Sequence, residues 1–158
     1  MYHNKTHRRF ISLFFLISGV SYSTLMARIP TIKSLYDLNA MELGSLLLVL
    51  PIASLVGLPL AGWLISRYSS RLSLAVAFSA NSVTLALIGL TGSLVMLVPA
   101  IAVFSFTMRI FSIAVNSQAI ALQRSYKKKI IGSFHGLWSL GGILGILTST
   151  LMVAGGVT

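Results

Sequence analysis

Long apolar stretches dominate this chain. They run over 10–27, 41–66, 72–91, 93–115 and 131–155, and only "TGS" joins the third to the fourth. A bilayer core about 30 Å thick takes about 20 helical residues at 1.5 Å each, so every one of the five is long enough to cross. Charged residues are 9% of the chain, against roughly 25% in an ordinary soluble domain. The expected fold is all-α, a polytopic membrane helix bundle of about five transmembrane helices.

The charges carry the topology. Lys and Arg number 12 against two acids, a net charge of +10 that could suggest nucleic acid as a partner. Their positions argue otherwise. Lys5, Arg8 and Arg9 precede the first span, Arg67 and Arg71 separate the second from the third, and Arg124, Lys127, Lys128 and Lys129 separate the fourth from the fifth. Nine of the twelve thus fall on alternate connections, the pattern of cytoplasmic loops lying against anionic lipid. The opposite side holds Arg28 and Lys33, offset by Asp37 and Glu42. We therefore expect a cell (inner) membrane protein with a cytoplasmic N-terminus, an outside C-terminus after five spans, a lipid bilayer as its medium, and no nucleic-acid partner.

"HRRFISLFFLISGVSYSTLMA" has the basic start and apolar centre of a signal peptide. A run that continues to Ala27 without a clean small-x-small site favours a retained helix. Cys 0 excludes disulfides, thiolate metal sites and cysteine nucleophiles. No His/Cys cluster has metal spacing, no acids pair inside a span, and no nucleophile is activated, so neither metal, cofactor nor enzymatic activity is expected. In the second span, Pro51, Gly57, Pro59 and Gly62 fit a kinked, closely packed helix.

Taken together, "ARIPTIK", "GLPLAGWLISRYSSR", "AVNSQAIALQRSY" and "SFHGLWSLGGILG" resemble the N-terminal portion of a major facilitator superfamily transporter, in its fucose-permease-like branch. The likeness extends over essentially the whole chain. The loop after the second span is similar to the superfamily's G-x-L-x-D-R-x-G-R-R signature, with Gly62, Leu64, Arg67 and Arg71 at four of its positions. Ser66 stands at the acidic position, and Ser69 and Ser70 replace the following glycine and basic residue. The resemblance implies an incomplete N-terminal six-helix half, its partners the missing helices or complementary half, with the small solute bound near the bilayer midplane where two halves meet. Residues 1–158 would then be a fragment, a truncated product or one part of a split system, unable to transport alone.

Several polar residues interrupt the apolar helices. On a helical wheel the fifth span sorts into two opposed stripes. Leu137, Leu140, Leu144, Leu147 and Leu151 form one, expected to face lipid. His135, Ser139, Gly142 and Ser149 form the other, with Trp138 at its edge, expected to face protein or a water-filled cavity. One reading makes this second stripe packing, with His135 bonded to a neighbouring helix; Gly132 with Gly136 and Gly141 with Gly145 have the spacing that lets helices approach closely. The other puts His135, Trp138 and Ser139 in a substrate-cavity wall, since intramembrane ionisable groups mark solute or proton paths.

In the fourth span Ser105, Arg109, Ser112 and Asn116 share a face. An arginine about 10 Å from the span's end at Asn116 either snorkels to the headgroups or faces the cavity, meeting an anionic solute group or an acid on the missing half. Superfamily members often carry an arginine in this helix. In the fucose-permease-like branch "AVNSQA" resembles a D-x-x-x-N pattern in which Ser112 replaces the acid and Asn116 keeps the amide. Asn81 is the main polar exception in the third span, suiting an outer helix, while Ser79 and Ser82 can bond their own backbone. Arg28 is expected to anchor at the interface, or to gate the solute path.

The functional expectation is transport of a small polar solute by alternating access. The rival is a non-transporting membrane interaction protein that docks through its glycine faces.

Overall fold

Five helices alternate in direction, joined by short connections: α1 (Tyr2–Leu35), α2 (Ala40–Arg67), α3 (Ser70–Ile88), α4 (Leu94–Gln123) and α5 (Ile131–Ala154). The computed structural model describes residues 2–156, with side chains from residue 5 onward. All five helices are long and apolar enough to cross a membrane, and no strand occurs among the described residues.

Two helices are longer than their apolar runs. α1 extends beyond 10–27 at both ends and continues through Pro30. α4 continues past Val115 to Gln123, because the residues that end its hydrophobic pattern have partners. Gln118 pairs its Oε1 with His7 Nε2 of α1 at 3.1 Å. Gln123 donates to the Lys128 carbonyl at 2.9 Å and accepts from the Ile130 N–H at 2.7 Å. α3, by contrast, stops at Ile88, three residues short of its expected end.

The starts of α2 and α3 follow side-chain chemistry. Asn39 and Glu42 form a reciprocal capping box: the Asn39 side chain accepts from the Met41 and Glu42 N–H groups, and Glu42 accepts from the Asn39 N–H at 2.9 Å. Ser69 caps α3 by accepting from the Leu72 N–H. This gives a structural use to a serine that departs from the transporter signature. Ser66, the departure at the acidic position, bonds back to the Trp63 carbonyl.

Packing divides into two arms. α1 lies along α5, while α4 lies against both α2 and α3 and joins the arms through its contact with α1. Toward the basic end, Phe14, Phe78 and Phe111 meet edge-on or tilted at 5.3–6.1 Å between centroids, over a core that includes Ile11, Phe15 and Phe134. Leu25, Leu97, Ile101 and Phe104 form a second core toward the other end. Asn81 is buried and staples α3 to α4 by donating to the Phe104 carbonyl at 3.3 Å.

The α1–α5 seam is built on missing side chains. A Cβ at Gly19 would run into the Trp138 carbonyl, and one at Gly141 into the Leu16 carbonyl; at Gly145 it would lie 2.6 Å from the Val20 carbonyl. Gly132 and Gly136 differ: a Cβ on either meets nothing within 4 Å, so this expected packing pair does not pack. The buried face of α5 is Phe134, Gly141, Gly145 and Ser149, which runs between the two stripes of the wheel and takes Ser149 from the edge of the polar one.

Candidate functional site

A cavity of about 570 Å³ lies between α1, α2, α4 and α5. Its wall on α4 carries Ser105, Arg109, Ser112 and Asn116, the face that the 3.6-residue period groups together. His135 and Trp138 enter from α5. No acidic side chain lines it, and α3 contributes nothing to it.

Arg109 is the strongest charge in this cavity. It lies fourteen residues, about 21 Å, from the end of α4, further inside the helix than the apolar run alone implied. Its Nε–H donates to the Ser54 hydroxyl of α2 at 2.7 Å. Gly57 makes that approach possible: a Cβ there would lie 3.2 Å from the Arg109 Cβ and 3.1 Å from the Phe106 carbonyl. One turn back, Ser105 donates to the Leu50 carbonyl at 2.6 Å, so two bonds tie α4 to the proline-containing stretch of α2 beside the cavity.

The remaining candidates have distinct surroundings. Asn116 donates to the Ser112 carbonyl at 2.8 Å, leaving its amide oxygen outside that bond. The His135 ring meets Phe15 edge-on at 5.4 Å, and Phe15 stacks on Phe134. Trp138 lies 6.4 Å from Tyr22 across the cavity's α1 side. Ser139 is not among the cavity-lining residues; it is exposed and bonds back to the His135 carbonyl at 3.2 Å.

The polar stripe of α5 therefore divides. His135 and Trp138 border the cavity, whereas Gly142 packs near the Ser23 hydroxyl and Ser149 accepts from Arg28 Nε at 3.0 Å. Arg28 is thus held to α5. Leu140, Leu144, Leu147 and Leu151 are exposed, while Leu137 is half-buried and borders a different, basic cavity.

Ser18 and Tyr22 of α1 and Ser54 of α2 also line the site, and sequence reasoning did not single them out. Phe15, Ser18 and Tyr22 do fall at i, i+3 and i+7. Their signal is diluted because "SGVSYST" places hydroxyls on every side of the helix. Ser54 was hidden between Pro51 and Gly57, which read as a kink.

The signature residues lie away from this cavity. Gly62 is exposed with open space at its Cβ position, Leu64 packs against the basic-end core, and Arg67 ends α2. Arg71, in the first turn of α3, borders a small cleft with His7 and Gln118. Among the described residues no group of three or more His, Asp or Glu side chains is placed to hold a metal.

Comparison with known proteins yields one family. The model of the Major Facilitator Superfamily matches residues 3–150. An uncharacterized MFS-type transporter of Yersinia pestis is 32% identical over 133 residues, covering 84% of this chain and 35% of the relative. The uncharacterized transporter y4wD of Sinorhizobium fredii is 28% identical over 83% of this chain and 35% of its own length. The membrane protein MosC of Rhizobium meliloti is 30% identical over 85% of this chain and 33% of its own. The chain thus spans about a third of the length of these curated relatives. No solved structure matches it.

Proposed function

This chain belongs to the major facilitator superfamily, and from that premise we propose that it forms one wall of a pathway that moves a small polar solute across the cell (inner) membrane by alternating access. The observation that carries the reading is the cavity shared by α1, α2, α4 and α5, into which Arg109, Ser112, Asn116, His135 and Trp138 converge. Amide, hydroxyl and guanidinium groups can bind a polar solute, and Trp138 and Tyr22, their rings 6.4 Å apart and tilted by 34°, supply apolar ring faces.

Four helices wall this cavity, and alternating access requires a second wall that rocks against the first. We assign that second wall to helices complementary to this chain, so the 158 residues alone insert without transporting. The nine basic residues on alternate connections support a cytoplasmic N-terminus. The four segments quoted above favour the fucose-permease-like branch. The chain acts by binding and conformational change, with no enzymatic step. Of the two glycine pairs that the interaction-protein reading would dock through, Gly141 and Gly145 are filled by α1, and only Gly132 and Gly136 stay open.

The test fuses residues 1–150 to the part of the Yersinia pestis relative beyond the matched region. Vesicles holding that relative first identify, from a panel of labelled sugars, sugar acids and polyols, the solute it moves. The fusion is expected to accumulate the same class of solute, and the bare chain none. A correctly inserted fusion that moves nothing, or uptake by the bare chain, defeats the proposal.

A further inference from the structure

A second cavity, of about 860 Å³, opens at the basic end of the bundle. Lys5, Arg8, Arg9 and Lys127 line it, together with Leu13 and Leu16 further along α1 and Leu137 on α5. We propose that this is a binding site for an anionic phospholipid, with the phosphate headgroup among the four cations and an acyl chain along the leucines.

Charge is the first argument. Four cations line one cavity, and both acids of the chain, Asp37 and Glu42, lie at the other end of the bundle in and beside the α1–α2 connection. The counter-charge must come from outside this chain. At a membrane surface the nearest source is the anionic lipid of the leaflet, which attracts basic segments close to the bilayer.

The site is also built by the fold. Gln123 folds the α4–α5 connection by bonding the Lys128 carbonyl and the Ile130 N–H. This holds Tyr126 against α1, where the Arg8 guanidinium lies 5.7 Å from the ring centroid and also reaches the Ser133 hydroxyl of α5 at 3.5 Å. A guanidinium fixed by a ring and a hydroxyl retains donors for phosphate. The passage from cations to leucines along α1 then follows the passage from headgroup to hydrocarbon.

This site is separate from the solute cavity. Lys5, Arg9, Leu13 and Leu16 lie on one side of α1, whereas Phe15, Ser18 and Tyr22 of the solute cavity lie on another. On α5, Leu137 and Trp138 fall on either side of the seam with α1.

The purified 158-residue chain in neutral detergent is titrated with dioleoylphosphatidylglycerol, dioleoylphosphatidylcholine or inorganic phosphate, and retained lipid is counted by native mass spectrometry. One phosphatidylglycerol is expected to bind at least about tenfold more tightly than phosphatidylcholine. The K5Q/R9Q/K127Q variant should lose about tenfold or more of that affinity, while K5R/K127R retains it and R67Q/R71Q, which removes charge at the same end outside this cavity, changes it by less than about threefold. Helical content by circular dichroism must match across the set; if K5Q/R9Q/K127Q loses it, R9Q and K127Q are read singly. Equal loss in R67Q/R71Q would reduce the effect to general surface charge. Undiminished binding by K5Q/R9Q/K127Q, or displacement of the lipid by free phosphate at comparable concentration, would overturn the lipid site.

Discussion

Arg109, midway along α4, donates its Nε–H to the Ser54 hydroxyl of α2 at 2.7 Å. The bond orients the guanidinium beside the cavity while leaving its other N–H groups to a solute or to an acid from the complementary wall. A charge at this depth is costly without such partners. Its placement between Ser54 and Gly57 is a packing arrangement, and under the proposed transport function it also presents charge to the solute.

If that guanidinium binds the solute, R109L should insert normally in the fusion yet lower uptake by roughly ten- to a hundredfold, the equivalent of a charge-assisted hydrogen bond worth about 1.5–3 kcal/mol. R109K should recover little, because an ammonium lacks the planar fork and the Nε donor that Ser54 accepts. S54A should cost about 1 kcal/mol of stability, typical of an interhelical bond in membranes. Uptake assays and thermal unfolding in detergent separate the two effects.

The α1–α5 seam yields a contrast among glycines of one helix. G141A drives a methyl into the Leu16 backbone carbonyl, which cannot swing aside as a side chain could. It should destabilise the bundle by about 1–3 kcal/mol. G132A and G136A point into open space and should stay within about 0.5 kcal/mol of the parent. Thermal unfolding of the three variants in detergent gives the order directly.

What the sequence revealed of this architecture, and what it concealed, follows from which forces leave a pattern. The spans were legible because crossing hydrocarbon demands an apolar run of fixed length. The ends of α1 and α4 were not, since there the helix continues outside that demand on contacts such as His7 with Gln118, which carry no periodic signature. Ser105, Arg109, Ser112 and Asn116 could be grouped on α4 because four polar residues at helical spacing stand out against hydrocarbon. On α5 the Leu stripe and the Gly141–Gly145 pair were legible from their spacing, but the extent of the packing face was not. Glycine has no side chain to mark a face, so Gly141 and Gly145 drew no boundary between it and His135. The wheel consequently put Ser139 and Ser149 in one stripe: Ser149 does face protein, accepting from Arg28, whereas Ser139 is exposed and bonds its own helix.

The orientation of the bundle can be read in a chain with no native cysteine. Two contacts establish which connections share an end: Arg8 meets Ser133 at one, and Tyr36 donates to the Thr91 carbonyl at the other. With the basic end in the cytoplasm, an impermeant thiol reagent applied to intact cells should label Gly92→Cys and spare Ser69→Cys and Ser125→Cys until the membrane is permeabilised. Labelling of either serine position in intact cells would invert the topology and place the phospholipid site in the outer leaflet.

His135 borders the cavity between α1, α2, α4 and α5 beside Phe15, one turn from Trp138, while Leu140 and Leu144 project away as exposed residues. In the fusion, Ser112→Cys should react with a small water-soluble thiol reagent and be protected by the solute, whereas Leu140→Cys, facing hydrocarbon, should stay unreactive. Ser139→Cys, outside the lining, should react without solute protection. H135L removes both ring nitrogens from a polar cavity and should cut uptake about tenfold with insertion intact. H135Q keeps a donor and an acceptor, so substantial recovery means the ring serves as a hydrogen-bonding group, while a loss equal to that of the Leu variant means that a proton on the ring is required. Full uptake by H135L, or equal reactivity at positions 112 and 140, would return His135 to a packing role against Phe15.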